Sequence, residues 1–152
     1  MLRPMSLQLP KEAFVALASL GWVDHRMTAV ERAGLTRAAK ECGLAGDDLA
    51  AVEQALATET KLDGFVPGDM SPWQRALTYA IGCWLTRLDG VQSTEEHATL
   101  ADLAKRLDLD KHVAQRASVA AFEVSVLPEG GKPEKYDFAK LSEKLKERLP
   151  NL

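Results

Sequence analysis

The stretch Ala80-Ile81-Gly82-Cys83-Trp84-Leu85-Thr86-Arg87-Leu88-Asp89-Gly90-Val91-Gln92-Ser93-Thr94-Glu95-Glu96, followed by Leu100-Ala101-Asp102-Leu103-Ala104, decides the fold. Its first part is apolar without strict alternation, which reads as a buried helix. Asp89-Gly90 is a turn dipeptide. Ser93 then offers a side-chain cap and Glu96, three residues on, completes a capping box, so a second helix starts there. Helix, acidic turn, helix is the unit this stretch spells.

Working outward, the same unit recurs 65 residues upstream, where Asp24 falls on Asp89, Thr28 on Ser93 and Glu31 on Glu96. The apolar stripe Leu35, Ala38, Ala39, Cys42 falls on Leu100, Leu103, Ala104, Leu107, and Lys40 falls on Lys105. Internal similarity at a fixed offset means two copies of one supersecondary unit. Each copy continues into a third helix. The periodicity predicts helices from about Lys11 to Val23, from Thr28 to a stop at Gly43, and from about Asp47 to Thr60. After the breaker-rich connection 62–69, Ser71-Pro72-Trp73-Gln74 opens a fourth helix with a cap and an N1 proline. That helix ends near Leu88; the fifth begins at Ser93 and the sixth runs from about Asp110 to Val126. Residues 127–133 read as a linker before a last helix, Asp137 to Leu149, with Phe138, Leu141, Leu145 and Leu149 on one side. The expected architecture is all-α, a compact bundle of about seven helices with an internal pseudo-twofold repeat. One domain spans 1–152, with a first half at 11–60, a second at 71–126 and the C-terminal helix at 137–149.

Composition narrows the partners. With 19 Lys+Arg against 22 Asp+Glu the 152-residue chain carries a net charge of −3, and no block of like charges suggests nucleic-acid binding. Ala13 to Val23 and Ala76 to Leu85 are about half the roughly 20 residues needed to cross a bilayer, so both read as core helices. The start, Met1-Leu2-Arg3-Pro4-Met5, has no secretory pattern, and Cys42 and Cys83 lack metal or disulfide spacing. A cytoplasmic protein is expected.

The residues quoted at the outset resemble the TerB-like tellurite-resistance family, whose pattern is an alanine-rich helix, an Asp-Gly turn, then Ser/Thr and paired glutamates. The resemblance covers about residues 11 to 126. It departs in the first half, where Asp24 is followed by His25 rather than glycine and Val30 stands where the second half has Glu95. It implies a compact all-helical fold with an internal repeat, an acidic surface that binds a metal cation, and a bacterial stress-response role exercised through protein partners.

Asp24, Glu31, Asp89 and Glu96 are the candidate metal ligands. An aspartate closing a helix faces the negative end of its dipole, which a cation would offset. Ca²⁺ or Mg²⁺ takes such carboxylate oxygens, although the spacing from Asp89 is not that of an EF-hand loop. The same residues have a second reading, in which Asp-Gly is only a turn and each glutamate only a reciprocal cap. The segment 44–70 adds Asp47, Asp48, Glu53, Glu59, Asp63 and Asp69 against Lys61, a solvated face or an attraction for a cation or basic surface.

Catalysis finds little support. His25, His97 and His112 lack the i, i+4 spacing of a zinc helix, there is no G-x-S-x-G, and Gly130-Gly131 lacks the context of a phosphate loop. Both cysteines read as core, and Trp22, Trp73 and Trp84 as core or rim packing. A metal-dependent hydrolase using His25 or His97 as proton carrier is the weakest reading. The last helix is amphipathic and nearly neutral; it packs on its own domain, docks a partner or exchanges with a second chain in a homodimer. The leading expectation is a non-enzymatic stress-response module with a divalent-cation site and protein partners. The alternative is a purely structural interaction scaffold with no metal site.

Overall fold

The computed structural model describes residues 7–23, 25–88, 92–128, 132 and 135–152. They form helices α1 (Lys11–Gly21), α2 (Ala29–Glu41), α3 (Gly46–Ala57), α4 (Pro72–Leu85), α5 (Thr94–Arg106), α6 (Lys111–Ser125) and α7 (Phe138–Arg148). Among the described residues there is no strand. The chain is all-α, as the periodicity predicts.

Three helices end earlier than the apolar pattern suggests. After Gly21 the Val23 N–H turns to Leu20 O at 3.4 Å, and after Leu85 the Leu88 N–H turns to that residue's own O at 3.3 Å. Both are the tighter three-residue closures that commonly finish a helix. Helix α3 stops at Ala57 because Thr58 adopts extended backbone, φ −129° and ψ 134°. The Thr60 hydroxyl donates to Ala55 O at 3.0 Å and so satisfies a carbonyl at the helix end. In the expected linker, residues 129–131 and 133 lie outside the described residues.

Helices α1 and α4 pack on each other at the centre. Ala13, Phe14, Ala16, Leu17, Ala18 and Leu20 of α1, and Ala76, Leu77, Ala80, Ile81, Cys83 and Leu85 of α4, are all buried. A helix apolar around most of its circumference must be enclosed by others. Helices α2 and α3 pack on α1, while α5 and α6 pack on α4. Gly82 permits a close approach: a Cβ there would sit 2.9 Å from Leu20 Cδ1 and 3.3 Å from Leu100 Cδ2. The Trp22 indole N–H donates to Ala55 O at 3.0 Å, tying the end of α1 to α3.

The connection before α4 buries Leu62 and Met70 in the core and is held by cations as well. Arg75 Nε donates to Met70 O at 3.0 Å and its Nη1 to Leu107 O at 3.1 Å, while Arg106 Nη1 reaches Asp63 O at 2.9 Å.

Helix α7 lies on α6 of its own chain. Trp84 stacks on Tyr136 with ring centroids 4.8 Å apart and meets Phe138 edge-on at 5.1 Å. The Tyr136 hydroxyl donates to Ala121 O at 3.0 Å, and Arg148 Nε to Glu123 Oε1 at 2.6 Å. One aromatic cluster therefore anchors the last helix on its own domain, the first of the placements its amphipathic pattern allows.

Hydrogen bonds at the helix ends recur at the 65-residue offset. Gly43 and Leu44 donate to Lys40 O and Ala39 O at 3.1 and 3.0 Å, and Asp108 and Leu109 donate to Lys105 O and Ala104 O at 3.0 Å each. Val23 to Leu20 corresponds in the same way to Leu88 to Leu85.

Candidate functional site

The two helix-joining turns each end in a complete capping box. The Thr28 N–H donates to Glu31 Oε1 at 3.0 Å, and the Glu31 N–H donates back to Thr28 Oγ1 at 3.1 Å. In the second half the Ser93 N–H donates to Glu96 Oε1 at 2.9 Å and the Glu96 N–H to Ser93 Oγ at 3.0 Å. Each glutamate thereby serves an orphan donor of a helix N-terminus, and its charge faces the positive end of the helix dipole. Glu31 is half-buried and Glu96 is buried at 8% exposure.

Of the four candidate ligands, Glu31 and Glu96 are thus placed in equivalent caps; Asp24 and Asp89 lie outside the described residues. Among the described residues no group of three or more His, Cys, Asp or Glu side chains converges. Among the described residues, each of these two glutamates is engaged with its own N-cap.

Each histidine has its own partner. His25, at φ 67°, directs Nδ1 to Glu59 Oε2 at 2.9 Å, so it joins the first turn to the end of α3. His97 Nδ1 lies 3.1 Å from Gln92 Oε1, and Gln92 Nε2 donates to Thr86 Oγ1 at 2.8 Å. His112 sits in the first turn of α6, where its N–H donates to Asp110 Oδ1 at 2.8 Å. The acids of the 44–70 segment are also partly engaged: Asp47 and Asp48 occupy the first turn of α3, and Asp48 lies 3.9 Å from Lys11.

Two features escaped the sequence reading. Cys83, taken as plain core, belongs to a small polar cluster with Tyr79 and Ser118. Burial pushes its thiol up to about 11, against hydrogen bonds to Ser118 and Tyr79 and the charge of Arg87, which pull it down. Burial likewise raises the Tyr79 phenol. A thiol held protonated is a poor nucleophile. The i, i+4 spacing of Tyr79 and Cys83 was the available signal.

The second feature is an open groove of about 630 Å³ along the outer face of α2. Among the described residues, Ala29, Ala33 and Thr36 line it together with Arg32, Arg37, Lys40 and the acid Glu41. Arg37 is held in place: its Nη1 donates to Tyr136 O at 2.6 Å and its guanidinium lies 5.0 Å from the Phe138 ring centroid. Arg32 and Lys40 are exposed, and neither side chain makes a hydrogen bond or ion pair within the described residues. Alanines at i and i+4 flanked by cations were visible in the sequence, but a near-neutral net charge concealed them.

Among the described residues no helix is long and apolar enough to cross a membrane. Comparison with protein-family models, curated proteins and solved structures returns no match.

Proposed function

We propose that this chain is a non-enzymatic helical interaction module of the TerB-like kind, built from two like halves and acting in bacterial stress response by engaging protein partners in the cytoplasm. One observation carries the reading: the glutamates of both acidic turns are committed to reciprocal caps. The turns are then structural joints, and binding falls to the outer faces of the helices. The matching hydrogen bonds at the ends of α2 and α5 support a duplicated unit. The raised Cys83 thiol and the separately partnered histidines favour binding over catalysis.

A divalent-cation site of Asp24, Glu31, Asp89 and Glu96 is the second reading, and what favours it is the repetition of these acids 65 residues apart. In that case Ca²⁺ or Mg²⁺ would draw the two halves together.

Deleting the gene in the source bacterium and challenging the cells with tellurite and with peroxide tests the role. The expected result is lowered survival under at least one challenge, restored by the wild-type chain. Unchanged survival under both would contradict it.

A further inference from the structure

We propose that the groove on α2 is the docking site for an acidic helical segment of a partner protein. The proposal rests on the interaction-module reading and assigns that reading a surface. Its first ground is charge. On a chain whose net charge is −3, the described lining of this groove has Arg32, Arg37 and Lys40 against one acid, Glu41, which lies 4.0 Å from Arg37. Two of the cations, Arg32 and Lys40, have no side-chain partner within the described residues, so an incoming carboxylate meets them without first breaking an existing ion pair.

Shape is the second ground. Ala29, Ala33 and Thr36 recur along one line of α2, and small side chains let another helix approach to about 8 Å between axes. Arg32 and Lys40 are eight residues apart, about 12 Å along the helix at 1.5 Å per residue. A helix laid along α2 with carboxylates seven or eight residues apart reaches both. Arg37 also lines the groove, with its guanidinium held in place by Tyr136 O and the Phe138 ring. Such charge complementarity sets orientation and association rate as much as affinity.

The test uses the full chain and a fluorescein-labelled, alanine-based helical peptide with glutamates at seven-residue intervals, beside the same peptide carrying lysines and a single-stranded RNA. Fluorescence anisotropy is expected to show saturable binding of the glutamate peptide only. It should weaken at least about tenfold in R32E/K40E and less in R32A/K40A, and more than about threefold when NaCl rises from about 0.1 to about 0.5 M. Circular dichroism melts should match wild type. No saturable binding, equal binding by R32E/K40E, or equal binding of the RNA would overturn the proposal. So would a dimer, seen by sedimentation, that the variant abolishes, since the groove would then hold a second copy. Expressing R32E/K40E in the deletion strain separates the two claims. Survival restored to the wild-type level removes the groove and leaves the module reading standing.

Discussion

Gly43 and Asp108, 65 residues apart, end α2 and α5 with the same pair of backbone hydrogen bonds and the same left-handed turn, φ 93° and 56°. Only glycine takes that conformation without a steric cost, which for other residues is about 1–2 kcal/mol. The prediction is asymmetric: Gly43→Ala lowers stability by about 1 kcal/mol, whereas Asp108→Gly leaves it unchanged or raises it slightly. Urea denaturation of both variants measures this, and equal losses would contradict it.

Gly34 gives a second stability test. A Cβ there would lie 2.9 Å from Trp84 Cη2, and the indole cannot retreat because Tyr136 and Phe138 hold it. Helix propensity alone favours alanine by about 1 kcal/mol. Overpacking a closed core costs about 1–3 kcal/mol and should win, so Gly34→Ala destabilises and shifts the tryptophan emission. A stabilised variant with unchanged emission would refute this packing.

Tyr136 separates hydrogen bonding from burial. Tyr136→Phe loses the bond to Ala121 O and is expected to cost about 0.5–1.5 kcal/mol. Tyr136→Ala removes a fully buried ring and should cost about 3–5 kcal/mol. Hydrogen exchange should then show α7 losing protection before α1 and α4. Uniform loss across all three would contradict the role of the aromatic cluster as the anchor of α7.

The Cys83 thiol sets a pH dependence. Its folded value is raised from 9.0 to about 11, so between these values the unfolded chain releases a proton that the fold retains. The contribution is fully present below about pH 9 and is lost as pH climbs toward 11. Cys83→Ser should flatten that part of the stability profile. Alkylation by iodoacetamide at pH 8 should follow unfolding, and a rapid reaction of the native protein at Cys83 would overturn the assignment.

The helices and their starts were legible because they depend on local chemistry. Thr28, Ser71 and Ser93 cap through residues three positions away, and all three boxes form. Helix ends were less legible, since Thr58 and Gly21 stop their helices through backbone geometry that apolar spacing does not encode. Arg37 shows the larger limit. Its partners Tyr136 and Phe138 lie about a hundred residues away, so the groove it organises has no local signature. The acidic turns were found from the sequence at once, but spacing alone does not tell a cap from a ligand, because both want an oxygen at the same place.

Glu96→Gln separates these two roles. The amide oxygen can still accept the Ser93 N–H bond, so the cap survives, while the charge that a hard cation needs is gone. Titration calorimetry with Ca²⁺, Mg²⁺ and Zn²⁺ on wild type and on the double variant Glu31→Gln, Glu96→Gln, with melting curves alongside, tests the central claim that these glutamates are joints of the fold. The account predicts no saturable heat in either protein and a melting temperature lowered only by the few degrees that losing two charges at helix N-termini costs. Saturable heat in wild type that vanishes in the double variant, with melting unchanged, would contradict it.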